Sequence, residues 1–383
     1  MLTDYLKGFK RPQDGDGFAR LRRAVAGIPP GGEGQVWVRM PVNLGDVVMA
    51  LPSLFAIKHI WEAWAAPRGV RLRFTLMGKR PVSLFQEAVP GIFAAAHVDE
   101  DFPPSRSPLT LMRHWGAHKP LAVINYGKSD RLKLAAWLAG VPVRAGIADG
   151  GNNWCYQFSH PYEKYNIGHR TFRYLPMTRW LAGADAALRF EALGPDRFGG
   201  TSIRERLRES GWDGGPYVVL GAFPNQRNPE RRWFPGNEPW IRLAALARAA
   251  GIAVVLVGGP EHQEALDQMA REAGCLCLAG RTTLPQLMAL MAGAAGIVSV
   301  DTGLAHVAAA TGKPTVVIFG PGLEFWDLPC GPKVIALRGN PAGEPVFPMN
   351  PGTMEGALSP WSWSTTGIPA ERAWGVLNHL IHE

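Results

Sequence analysis

Residues 297–321, IVSVDTGLAHVAAATGKPTVVIFGP, decide the fold of this chain. Ile297, Val298 and Val300 read as the end of a buried strand, and 304–311 as a short helix with alanine on its close-packed face. Gly312 and Pro314 stop the helix, and 315–319 is the next strand. A strand–turn–helix–turn–strand unit of this kind belongs to parallel α/β sheets. Its first turn is Asp301-Thr302-Gly303. Gly303 lets a ligand approach the backbone, and the free N–H groups of a helix start suit a phosphate. Asp301 lies at the carboxyl end of a strand, where open α/β sheets bind ligands. His306 falls in the first or second helical turn. A plain Asp–Thr helix cap and an ordinary buried histidine fit the same pattern, and the local sequence weighs the two readings evenly.

The alternation continues on both sides of this unit. Upstream, strands are expected at 217–220, 253–257 and 276–278, with helices at 240–250, 264–273 and 284–291. The first of these strands runs into GAFPNQRNPERRWFP, and the second closes on Gly258-Gly259-Pro260. A strand, VIALRG, follows Gly331, then a coil rich in Pro, Gly and Trp, then a last helix over 369–382. Nearer the start, 35–40 is the first strand. It leads through Pro41-Val42-Asn43-Leu44-Gly45-Asp46 into a helix whose Val48, Leu51, Leu54, Phe55 and Ile57 suit packing on a sheet. Asp46 is therefore also at a strand's carboxyl end, although an aspartate at a helix start is equally a good cap. Further strands are expected at 72–77, 95–98, 121–125 and 143–147, and helices at 81–89, 109–114 and 132–140. Residues 149–169 read as an irregular, aromatic-rich loop of the kind that often binds ligands, and 169–182 as a helix. A linker and the helix SIRERLRES join the two halves.

A chain of 383 residues should form two domains, each with its own core. The net charge of +8 points to an anionic partner: nucleic acid, a phosphorylated substrate or an acidic membrane surface. The four cysteines lack paired zinc-site spacing and make no disulfide framework, so a reducing cytosol is expected. No run of about 18 uncharged apolar residues suggests a membrane span. Residues 1–34 read as a basic peripheral extension, solvated or touching a membrane.

With both halves read, the chain resembles glycosyltransferase family 9, the ADP-heptose:lipopolysaccharide heptosyltransferases. The residues that carry the resemblance are VNLGDVVMALPSLFAIK, INYGKSDRLKLAAWLAG, LGAFPNQRNPERRWFP, VVLVGGPEHQEA and VSVDTGLAHVAAATGKPTVVIFGP, in family order over roughly 35–335. The fold implied is GT-B, an α/β class in which two Rossmann-like doubly wound domains face each other across a cleft. Residues 35–195 would then be an acceptor domain and 196–335 a nucleotide-sugar domain. Residues 336–383 would carry a helix back to the first domain.

The chemistry implied is inverting transfer of a heptose or related sugar from an ADP-sugar to a hydroxyl of the lipopolysaccharide inner core or a related glycan. Such a reaction needs a base for the acceptor hydroxyl and positive charge for the departing diphosphate. By resemblance Asp46 is the base, and Arg231, where the family usually has Lys, holds the diphosphate. Arg is not equivalent to Lys there. Thr302 and Gly303 offer backbone N–H groups, Asp301 takes sugar hydroxyls, and His306 supports the site. Thr282 lies in the segment that would contact adenine. The ribose-binding Glu is displaced in this sequence: strict register gives His262, and Glu261 is the nearer carboxylate chosen. Asn43 replaces the family's Ser, and Phe234 is inserted between Trp233 and Pro235.

Lys128 and Arg131 follow a strand's carboxyl end and would meet an anionic glycolipid acceptor at the inner face of the cytoplasmic membrane. Lys133 reads better as a solvated helix-start charge. No metal, other cofactor or nucleic acid is expected. The alternatives are another GT-B enzyme, such as a nucleotide-sugar epimerase, or a non-catalytic nucleotide-sugar-binding protein. A dehydrogenase is disfavoured because no GxGxxG follows the first strand.

Overall fold

The structure is a computed structural model, and it describes residues 13–89, 91–148, 153–161, 169–193, 202–224, 233, 236–320, 324–338 and 368–383. Two six-stranded parallel sheets organise these residues. The first has the order β3-β2-β1-β4-β5-β6, and the second β12-β11-β10-β7-β8-β9. The first sheet comprises β1 (Glu33–Arg39), β2 (Arg71–Gly78), β3 (Ala95–Val98), β4 (Ala122–Asn125), β5 (Val143–Ala148) and β6 (Phe158–Pro161). Its helices are α1 (Asp16–Val25), α2 (Leu44–Ala65), α3 (Pro81–Ala88), α4 (Pro108–His118), α5 (Asp130–Leu138) and α6 (Leu175–Ala182). The second comprises β7 (Tyr217–Gly221), β8 (Ala253–Leu256), β9 (Leu276–Cys277), β10 (Gly296–Val300), β11 (Thr315–Phe319) and β12 (Val334–Arg338). With it go α7 (Ser202–Glu209), α8 (Glu238–Ala249), α9 (Gln263–Ala273), α10 (Leu284–Gly293), α11 (Gly303–Ala310), α12 (Glu324–Asp327) and α13 (Ala370–His382). The strand order reverses on either side of β1 and β10, so the turns after those strands lie at the switch points where such sheets bind ligands.

The 297–321 unit folds as its pattern predicts. β10, α11 and β11 follow one another, and Ile297–Val300 pair in parallel with Thr315–Ile318. Two expectations need correcting locally. Within the stretch read as an irregular loop, Phe158–Pro161 pairs in parallel with β5 and closes the sheet. A four-residue edge strand ending in proline gives no periodicity to read. The helix expected over 169–182 is broken into a 3₁₀ turn at Arg170–Tyr174 and then α6, where Pro176 begins a new helix.

Helix α2 joins the halves. The stretch Leu44–Arg68 is long and apolar enough to cross a membrane, with an 18-residue window of mean hydropathy 1.3, but 72% of that window is buried inside the protein. One side packs on the first sheet. Another meets α11, and α3 meets α10 of the second half. Val48, Leu51 and Phe55 therefore share a single core with Val307 and Ala308. The connecting segment is tied to both helices: Arg189 N–H donates to Pro52 O (2.9 Å) and Leu193 N–H to Ala310 O (2.6 Å).

The resemblance implies that the last helix returns to the first domain. Instead, the buried face of α13 lies on the second sheet and α8, in one core with Val298, Val316 and Leu243. Gly296 makes the seat: a Cβ there would stand 2.7 Å from Leu377 Cδ1. Arg242 pairs with Glu371 at 2.7 Å, and Trp233 Nε1–H donates to Ile368 O at 3.2 Å. Leu377 is fully buried. Leu377→Ala should cost about 2–5 kcal/mol, the range for a buried leucine truncation. A urea unfolding curve with its midpoint unchanged would show that the helix is not part of this core.

Candidate active site

Two helix N-termini meet at the centre of the molecule. The turn after β1 delivers Leu44-Gly45-Asp46 as the first residues of α2, and the turn after β10 delivers Asp301-Thr302-Gly303 at the head of α11. They touch through glycine. A Cβ on Gly45 would stand 2.9 Å from His306 Cδ2 and 3.5 Å from Gly303 Cα, and one on Gly303 would stand 3.3 Å from Gly45 N. Neither end is closed by a side-chain cap, since Asn43 and Thr302 make no capping hydrogen bond. The structure thus brings together Asp46, Asp301, Thr302, Gly303 and His306, residues more than 250 positions apart in two groups.

Asp46 is the third residue of α2, not its cap. Its carboxylate accepts from Asn43 Nδ2 at 3.0 Å and pairs with Arg170 at 3.2 Å. Arg170 also pairs with Asp327 at 2.9 Å and lies over the Trp326 ring, 5.1 Å from its centroid. Asp301 is buried at 2% exposure. Its charge acts on Arg338, at the end of β12; burial pushes that guanidinium down to about 10, and Asp301 opposes the shift. Arg338 remains charged at neutral pH. His306 is buried between Gly45 and a cavity of about 600 Å³, walled by Val48, Leu51, Phe55, His169, Leu193 and Cys330 among others. That cavity is largely apolar and does not include Asp46 or Asp301.

The other turns at the second sheet's carboxyl edge pack side by side. Gly280 N–H donates to Gly258 O at 3.0 Å, joining the turn that carries Glu261 to the one that carries Thr282. Glu261 is exposed and lies 3.8 Å from His262 Nε2; His262 Nε2–H donates to Pro224 O at 2.9 Å. Thr282 is half-buried beside Arg281, which holds Asp267 with two bonds of 2.7 and 2.6 Å. Arg231 lies outside the described residues.

On the first sheet, Lys128 and Arg131 are exposed at the carboxyl end of β4. Gly127 packs on this rim, where a Cβ would stand 3.0 Å from Met40 O. Arg131 Nη1–H donates to Arg106 O at 3.1 Å. Lys133 corrects the reading of a solvated charge: it is fully buried, with Asp130 at 3.0 Å and Asn153 Oδ1 at 2.8 Å. A helix-start lysine can turn inward when a loop brings oxygen ligands over it, and a distant loop leaves no local signal. Arg170, Asp327 and Arg338 were not foreseen for the same reason.

Two Rossmann-like sheets with their ligand-binding edges facing each other make this a GT-B fold. Residues 184–345 match the model of glycosyltransferase family 9 (heptosyltransferase). Over 175 residues the chain is 30% identical to lipooligosaccharide heptosyltransferase 2 of Haemophilus influenzae, which is 44% of this chain and 48% of that protein. The chain thus spans about half the length of this curated relative in the match. Among solved structures, the E. coli ADP-heptose LPS heptosyltransferase II has a TM-score of 0.69 at 18% identity, covering 91% of this chain and 98% of that one. A glycosyl transferase family 9 protein from Veillonella parvula gives 0.70 at 19%, covering 91% and 97%. Through residues 184–345 the chain is similar to glycosyltransferase family 9.

The Asp267–Arg281 pair gives the second sheet's rim a pH signature. The guanidinium beside Asp267 holds its carboxyl down at about 2, below the roughly 3.9 of an unfolded aspartate. The stabilisation is therefore complete above about pH 4 and is lost as pH falls toward 2. The pair is partly exposed, so it contributes no more than about 1 kcal/mol. Asp267→Asn should melt slightly below wild type from pH 8 to 5, and the gap should close below pH 4. A gap that stays constant into acid would exclude this pair as its source.

Proposed function

We propose that the protein is an inverting glycosyltransferase that moves a heptose, or a related sugar, from an ADP-sugar to a hydroxyl of a lipopolysaccharide inner core or related glycan. One observation carries this reading. Asp46, a carboxylate on the first sheet's switch-point helix, directly follows Gly45, which packs on Gly303 at the N-terminus of α11, where Thr302 makes no side-chain cap. A general base and an anion site on opposite walls of one cleft are what displacement of a diphosphate by a hydroxyl requires.

In this reading the first half, 35–195, holds the acceptor, and 196–335 holds the donor. The diphosphate lies on the N–H groups of Thr302 and Gly303, whose orientation favours negative charge, with Arg231 adding a bidentate clamp. Asp301 accepts from sugar hydroxyls, and its own charge is offset by Arg338, so it does not repel the diphosphate. Glu261 and Thr282 take the ribose and adenine. Asp46 removes the acceptor proton as the bond to the anomeric carbon forms from the face opposite the leaving group, which inverts the centre. Support for heptose comes from the relatives: the family model and the E. coli structure are named for heptosyl transfer and ADP-heptose.

The deciding assay follows transfer from ADP-heptose to a Kdo-bearing lipid acceptor. Asp46→Asn should reduce kcat at least 10³-fold while donor affinity stays within about threefold, because the base acts only in the transition state. Turnover should persist in EDTA. A variant with near-wild-type turnover at saturating donor would reduce Asp46 to a structural residue. Conversion of the nucleotide-sugar without an acceptor would instead favour an epimerase.

The acceptor is proposed to be an anionic glycolipid, met at the inner face of the cytoplasmic membrane and guided by the chain's net positive charge. Arg131→Ala should raise the acceptor KM several-fold, leave donor binding intact and flatten the salt dependence of kcat/KM. Faster turnover with a neutral acceptor than with any phosphorylated or Kdo-bearing one would redirect the assignment to another glycan.

A further inference from the structure

Residues 169–171 belong to the first half by chain and packing, since their 3₁₀ turn runs into α6 and lies on α2. Their side chains, however, are held from the second half. His169 Nε2–H donates to Leu328 O at 2.5 Å, and Thr171 Oγ1 meets Cys330 Sγ at 3.4 Å. Between them, Arg170 divides its guanidinium between Asp46 at 3.2 Å and Asp327 at 2.9 Å, with Trp326 beneath. The side chains of Asp46, Arg170 and Asp327 are 22%, 25% and 14% exposed. Ion pairs this shielded can add to stability, but stability alone does not account for one guanidinium serving carboxylates of both halves. Geometry does. A planar guanidinium can serve two carboxylates at once, which an ammonium cannot do with the same directionality.

We propose that Arg170 is a positioning residue. Seated on Asp327 and Trp326 of the second half, it orients the Asp46 carboxylate, so the base is aligned only where the two halves dock along this seam. The proposal rests on the reading of Asp46 as the base. Asn43 anchors one oxygen of Asp46 and Arg170 the other. Loss of the second anchor frees the carboxylate to turn, and a displacement of about 1 Å at a catalytic group can cost about 10²-fold in rate.

The test uses Asp327→Asn, Arg170→Lys, Arg170→Ala and the double variant Arg170→Ala/Asp327→Asn in the full chain. With ADP-heptose as donor, Asp327→Asn should lower kcat about 10- to 100-fold, with donor KM and Tm close to wild type. Arg170→Lys should fall as far, and the double variant should be no slower than Arg170→Ala, because both changes remove one bridge. Wild-type kcat in Asp327→Asn, or losses that multiply in the double variant, would overturn the proposal. So would a drop in Tm with both KM values raised, the pattern of a merely structural pair. A crystal structure of Asp327→Asn separates this idea from the functional reading. If the Asp46 carboxylate has left its place between Asn43 and Arg170, the positioning role stands even where ADP-heptose proves not to be a donor. If it has not moved, the role is excluded whatever the sugar.

Discussion

The contact of two helix N-termini through Gly45 and Gly303 is the constraint on which the rest of the structure depends. Each N-terminus carries a partial positive charge from its aligned peptides. Bringing two such ends together is unfavourable unless negative charge stands between or beside them. The chain supplies it twice: Asp46 sits in the first turn of α2, and Asp301 immediately precedes the head of α11. A bound diphosphate would add to the same balance. Asp46 and Asp301 thus offset the repulsion of the two helix ends at the place where the proposed diphosphate would lie, and a larger residue at either glycine would push the ends apart.

Much of this site was legible because its parts are contiguous in sequence. Strand end, turn, glycine and helix appear in order in both VNLGD and VDTGLAH, and each fixes a carboxylate at a switch point without knowledge of the other half. What could not be read are the groups that reach the site through space. Arg170 stands in a stretch read as one continuous helix that folds instead as a 3₁₀ turn, and Asp327 lies in a helix of four residues. Arg338 ends a strand that looks like any other. Their roles exist only because β10, β11 and β12 lie side by side and α6 returns the chain to α2. The buried Lys133 and the strand Phe158–Pro161 were hidden alike: one depends on Asn153 arriving from elsewhere, the other on an edge that only β5 defines.

The placement of α13 shows how far family resemblance and local physics can part. A resemblance transmits connectivity, but the seat of a terminal helix is set by which surface offers room for its apolar stripe. Here Gly296, without a side chain, opens that room on β10 for Leu377 and Ile381. Burying large aliphatic side chains there gains about 1.5–3 kcal/mol each, enough to decide between two nearby surfaces.

The apolar character of α2 was, by contrast, a stronger signal than an amphipathic reading allows. A helix covering one face of a sheet shows a polar side, and α2 is buried at Val47, Val48, Met49, Ala50 and Leu51 in unbroken succession. Five consecutive buried positions pass more than once around the helix, so no side of that segment faces water. A helix apolar all round must be covered all round, either by lipid or by protein. The charged residues at its far end, Lys58 and Glu62, and the sheet on one side make protein the cover, and the missing surface is α11, itself buried from Ala305 to Ala309. The composition of these two helices thus already requires that the halves share a core, which fixes where their N-termini, and with them Asp46 and Asp301, must meet.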